Sequence, residues 1–97
     1  MNAEKTTLLK QNEFQPLSLR TLAESPWEYC GSGVEICGGV SRTSSNWFYL
    51  ESGGFEILVL LSDPPVTGTQ VRVSGFVFYD SNNMRYKMRA QDVGLVA

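Results

Sequence analysis

From Val34 onward, the chain's dominant feature is a two-residue repeat in hydropathy. Val71, Val73 and Val77 alternate with Arg72, Ser74, Phe76 and Phe78. Side chains of a strand point alternately to its two faces, so this pattern marks a strand with one buried and one exposed side. Val34, Ile36 and Val40 repeat it. So do Phe48 and Leu50 against Trp47 and Tyr49, and Met84, Tyr86, Met88 and Ala90 against Arg85, Lys87 and Arg89. Turn-forming residues separate the runs: Arg42 to Asn46, the Ser52-Gly53-Gly54 hairpin, the proline-containing Asp63 to Thr69, and Asp80 to Asn83. The spacing predicts five strands, near residues 34–41, 46–51, 55–61, 70–79 and 84–90. So few strands around one core favour closure, because an open sheet would leave both edges unpaired. The expected fold is all-β: a five-stranded antiparallel barrel with a short N-terminal helix.

That helix is expected over Ser18 to Glu24. Ser18 can cap it, Leu19 and Leu22 share a face, and Ser25-Pro26 ends it. A shorter helical turn is expected over Thr6 to Phe14, stopped by Pro16. We divide the chain into a partly flexible N-terminal segment, 1–16, and a single barrel domain, 17–97. Ninety-seven residues leave little room for a second core. The longest apolar run, Ile57 to Leu61, has five residues, far below the roughly 20 of a membrane-spanning helix. Without a secretory signal pattern at the N-terminus, the expected setting is soluble and cytoplasmic, with no membrane partner.

The composition removes several chemistries. The chain has no histidine, which excludes Ser-His and Cys-His nucleophile pairs and most zinc sites. Cys30 and Cys37 cannot alone complete a zinc site, and they read as reduced, partly buried thiols rather than a disulfide. Asp80, Asp92 and Glu51 form no recognisable acid pair or metal cage, and the glycine-rich turns lack the lysine and following helix of a phosphate loop. The expectation is a protein that is not an enzyme and uses no cofactor or metal.

Two stretches resemble the oligonucleotide/oligosaccharide-binding (OB) fold over roughly residues 34–96. The first is Val34-Glu-Ile-Cys-Gly-Gly-Val40, followed by Phe48-Tyr-Leu-Glu-Ser-Gly-Gly-Phe-Glu-Ile-Leu-Val59. The second is Gly68-Thr-Gln-Val-Arg-Val-Ser-Gly-Phe-Val77, similar to the family's fourth strand. The closing Met88 to Val96 fits the family's alternating last strand. Gly39 and Gly75 then fall mid-strand, where a small barrel must bend. The chain departs from the family between its third and fourth strands, where Ser62 to Thr69 is too short and too proline-rich for the usual helix. A loop is expected there, leaving Ser18 to Glu24 to cover a barrel end.

The resemblance implies binding of single-stranded nucleic acid, DNA sooner than RNA. Net charge is −2, but residues 64–97 hold four basic groups against Asp80 and Asp92 alone. Arg85, Lys87 and Arg89 project to one side of a strand about 7 Å apart, a spacing suited to successive phosphates of an extended single strand. Trp47, Tyr49 and Phe76 supply ring faces on which bases can stack. With Arg42 and Arg72 these make up the candidate nucleic-acid-binding set. The same residues fit a second reading. Cations also guard a solvated strand against edge pairing, and exposed aromatics also dock proteins. The alternative is therefore an OB-type interaction subunit whose aromatic face holds a larger partner or a second copy of the chain.

Overall fold

The computed structural model describes residues 14–96. A two-residue strand β1 (Gln15–Pro16) leads into helix α1 (Leu19–Glu24) and a 3-10 turn (Pro26–Tyr29). Five strands follow: β2 (Gly33–Thr43), β3 (Trp47–Ser52), β4 (Phe55–Leu60), β5 (Gln70–Asp80) and β6 (Arg85–Leu95). Their order is β2-β3-β4-β6-β5, and β5 pairs back onto β2 to close the barrel. No helix among the described residues is long and apolar enough to cross a membrane. Residues 6–13 of the expected N-terminal helical turn lie outside the described residues.

The alternation places the core as expected. Val34, Ile36, Val40, Phe48, Leu50, Ile57, Val59, Val71, Val73, Val77 and Met88 are buried inside the barrel. Leu19 and Leu22 of α1 join them and close one end. Ser18 caps α1, its hydroxyl accepting a hydrogen bond from the Thr21 N–H at 3.0 Å. From Leu61 to Thr69 the chain forms no helix, and α1 covers the barrel end instead.

The sheet is mixed, not purely antiparallel. Directions alternate along the chain, but a closed ring with an odd number of strands cannot alternate all the way round. The mismatch falls at β4 and β6, which run parallel through three pairs, Leu58–Lys87, Val59–Met88 and Leu60–Arg89. The short β1 is also parallel to its neighbour β2. The last strand is displaced from the expected 84–90: it begins at Arg85 and continues to Leu95. Met84 therefore belongs to the turn, at φ 56°, and is exposed instead of joining the core side. Asp92 to Leu95, beyond the expected 84–90, extends the ladder with β5, in keeping with the resemblance over Met88 to Val96. Cys30 and Cys37 are both free, as expected, but exposed rather than partly buried. On β2, Cys37 has the parity opposite to buried Val34 and Ile36.

Glycine is needed at two close approaches. At Gly75 the β5–β6 register shifts, and a Cβ would drive into the Arg89 carbonyl oxygen and the Ala90 backbone. At Gly38 a Cβ would lie 2.7 Å from the Glu51 carbonyl oxygen. The neighbouring Gly39, which the sequence pattern favours, would meet only the movable amide of Gln70. Gly75→Ala is thus expected to destabilise the barrel by about 1–3 kcal/mol through overpacking. Gly39→Ala should stay within about 0.5 kcal/mol of the parent. Urea unfolding midpoints check the contrast, and equal costs would contradict this account of the bend.

Candidate functional site

The parallel seam fixes what the barrel shows to solvent. Strand pairing carries one outward row from Trp47 through Leu60 and Arg89 to Phe76. A second row runs from Tyr49 through Leu58 and Lys87 to Phe78. Each row reads aromatic, leucine, cation, aromatic across four neighbouring strands. At a strand spacing of about 4.8 Å a row spans about 14 Å. Arg42 pairs with Tyr49 and Arg85 with Asp80, and the two arginine side chains converge on Tyr49.

Two hollows flank this face. One, of about 490 Å³, is lined by Arg42, Tyr49, Glu56, Leu58, Arg85 and parts of Ile57 and Tyr86. The other, of about 550 Å³, lies between Asn46, Leu60, Leu61, Ser62 and the Arg89–Gln91 segment. The Arg42–Asn46 turn is held against this end by backbone bonds from Leu61 to Asn46 and from Asp63 to Ser45.

The candidate residues differ in what they have left to offer. Arg42 bonds Glu56 at 3.2 Å and lies over the Tyr49 ring, 4.1 Å from its centroid. Trp47 meets Tyr49 edge to face at 5.6 Å. Arg85 donates to the Tyr49 hydroxyl at 2.8 Å, a neutral partner, and forms no ion pair among the described residues. Arg89 stacks over Phe78 at 5.2 Å and is exposed. Lys87 is different. Its ammonium donates to Asp80 and to Asn83, both at 2.6 Å, and its side chain is only 11% exposed.

Two more of the expected residues sit away from the rest. Arg72 is bonded to Glu35 at 3.1 Å on the β2–β5 side of the barrel. Phe76 ends the first row, but the Phe14 ring packs on it at 5.4 Å. The structure therefore gathers Arg42, Trp47, Tyr49, Arg85 and Arg89 into an accessible group. It ties Lys87 to carboxylate and amide, sets Arg72 apart, and partly covers Phe76.

Leu58 and Leu60 are the floor of the face, and sequence reasoning missed them. Their signal was present: β4 breaks the alternation by carrying leucine on its outer side as well as Ile57 and Val59 on its inner one. Glu56 and Asp80, the partners that neutralise Arg42 and Lys87, carried no sequence signal, because each pairing joins separate strands.

Known proteins add the fold. No family model and no curated protein sequence matches the chain. Among solved structures, the S. pombe Stn1-Ten1 complex has a chain superposing at TM-score 0.68 with 10% identity, over 87% of this chain and 77% of that one. The hypothetical protein ygiW from E. coli superposes at 0.64 with 16% identity, over 84% and 90%. A replication protein A heterotrimer bound to single-stranded DNA contains a chain matching at 0.54 with 22% identity, over 69% and 58%. The fold is an OB barrel. At these identities the likeness speaks for the fold alone, which hosts many functions.

The Asp80 carboxyl is held below its ordinary value of 3.8, chiefly by the Lys87 hydrogen bond, helped by the Asn82 and Asn83 backbone and by the Lys87 charge. A depressed carboxyl stabilises the fold above its unfolded value, and that contribution is lost as pH falls through the folded value. In an NMR titration Asp80 is expected to titrate below 3.8 and to move up toward it in Lys87→Met. An unchanged midpoint in the variant would remove Lys87 as the cause.

Proposed function

We propose that the chain binds single-stranded nucleic acid, DNA foremost, across the outer face of β3, β4 and β6. The supporting observation is the pair of cross-strand rows, aromatic to leucine to cation to aromatic, with Arg89 inside the first row and Arg85 beside the second, neither ion-paired among the described residues. Bases need apolar or aromatic surface to lie on, and phosphates need cations beside it. Trp47, Leu58 and Leu60 offer the first, and Arg85 and Arg89 the second. The two arginines are four residues apart on one strand, about 13 Å, which leaves room for one intervening phosphate. Tyr49 joins when a base displaces Arg42 from its ring. That exchange is feasible because an exposed cation–π contact is worth about 0.5–1 kcal/mol and a stacked base about 1–3 kcal/mol. The replication protein A structure that shares the fold is bound to single-stranded DNA, which makes DNA the first ligand to test.

The alternative, an interaction subunit, takes its support from the same side chains. Arg42 and Lys87 are already neutralised, and aromatic surface with few free charges also suits a protein partner. Salt dependence separates the two. Each phosphate neutralised on a single strand contributes a slope of about −0.7 to log K against log salt. Replacing Arg85 and Arg89 together by Ser is expected to flatten the slope by about 1.4, whereas Lys87→Ser should leave it nearly unchanged. Trp47→Ala should weaken binding by about 1–3 kcal/mol with little change in slope. Fluorescence titration with poly-pyrimidine DNA and RNA measures both. Failure to bind either strand in about 20 mM salt, where screening is weak, would transfer the face to the interaction-subunit reading.

A further inference from the structure

β6 is paired on both sides for only part of its length. It follows β5 as far as Leu95, but its contact with β4 ends at Leu60–Arg89. Beyond Arg89 its second edge has no strand partner among the described residues. The Val96 N–H donates to the Gln70 carbonyl at 3.0 Å, which sets the alternation of the ladder. Val96 and Gly94 turn their backbone groups toward β5, so Val93 and Leu95 turn theirs outward. Next to this edge lies a hollow of about 450 Å³ with an apolar floor of Leu61, Pro65, Val71, Val93 and Leu95. Leu95 is 75% exposed. Asp63 and Asp92 also line the hollow, and neither is ion-paired among the described residues.

We propose that this edge receives an extended, basic segment of a protein partner by strand addition. Backbone groups of the segment bond the outward N–H and C=O groups of Val93 and Leu95. Its alternate apolar side chains enter the Leu61–Pro65–Leu95 hollow, and its Lys or Arg side chains face Asp63 and Asp92. Strand addition takes its affinity from main-chain bonds and its selectivity from pockets for alternate side chains, and both are present here. The two carboxylates select a cationic peptide and repel a phosphate backbone, so this site is distinct from the outer face of β3, β4 and β6. The edge is short, with two outward residues, which makes the expected interaction weak and dependent on side-chain fit.

The test is a titration of the full chain, followed by amide NMR, with a short capped peptide of alternating lysine and valine. A peptide of alternating glutamate and valine is the charge control. A third peptide, the lysine one with alternate backbone nitrogens methylated, keeps the side chains but cannot extend a ladder. The expected result is shifts and slowed exchange at the Val93 and Leu95 amides. The lysine peptide should bind up to about tenfold tighter than the glutamate one, from two exposed ion pairs. N-methylation should abolish the slowed exchange. The double variant Asp63→Asn, Asp92→Asn should remove the charge preference while keeping the fold. Absence of response at Val93 and Leu95 would overturn the proposal. So would a response indifferent to N-methylation, or self-association through this edge in sedimentation, which would assign it to a second copy of the chain. Because none of these readouts involves nucleic acid, failure here leaves the oligonucleotide titration independent, and the converse holds.

Discussion

The barrel depends on three parallel residue pairs. Leu58, Val59 and Leu60 of β4 meet Lys87, Met88 and Arg89 of β6, and without that seam the five strands would form an open sheet with two free edges. A seam this short cannot close the wall along its whole height, so an opening remains on either side of it. On one side α1 narrows the opening, its Leu19 and Leu22 joining the core and leaving a smaller hollow of about 190 Å³ beside Ile57 and Tyr86. On the other only the proline-containing loop stands near, and the hollow beside Val93 and Leu95 persists. The inner residues of the seam, Val59 and Met88, are fully buried, while its outer residues form the middle of the candidate binding face. One constraint thus sets the core, the plug, the hollow and the face together.

The charge on that face is smaller than its composition suggests. Arg42, Arg85, Lys87 and Arg89 lie there, but Glu56 and Asp80 offset two of them. The offset differs in kind. Arg42 and Glu56 are largely exposed, so solvent and salt screen the pair and a ligand can compete for either member. Lys87 is mostly covered and also bonds Asn83, so it organises the β5–β6 turn, in which the Asn82 N–H also bonds Asp80. It acts as a local fastener, and the adjacent arginines remain available because their partners, a phenol and a phenyl ring, carry no charge.

Most of the fold was legible in the sequence because alternation and turn chemistry are local. The five strands, the cap at Ser18 and the inward parity of Phe48, Leu50 and Val77 all follow from neighbours within a few positions. The parallel seam was not legible, since it joins residues nearly thirty positions apart and arises from ring closure rather than local pattern. Met84 misled for a related reason. Alternation assigned it to the core side, but the Asp80–Asn83 turn needs one more residue in a left-handed conformation before the strand begins. The site was half legible. Parity identified Trp47, Tyr49, Arg85 and Arg89 as outward, whereas the pairing of Lys87 with Asp80, of Arg72 with Glu35 and of Phe76 with Phe14 decides which candidates are still free.

Leu61 and Gln91 line both the hollow beside Arg89 and the hollow beside Val93, so the two candidate surfaces meet at the end of the seam. Their electrostatics differ across that boundary: Arg89 stands on one side, and Asp63 and Asp92 on the other. A polyanion lying over Trp47 and Leu60 is therefore turned back before it reaches the free edge of β6, and a basic peptide on that edge is turned back before it reaches Arg89. Two ligands of opposite charge could occupy a barrel this small at once, their contact falling at neutral Leu61 and Gln91 with attraction rather than repulsion between them. In that geometry a nucleic acid on the outer face does not exclude a protein segment on the β6 edge, because the seam that creates one surface leaves the other open.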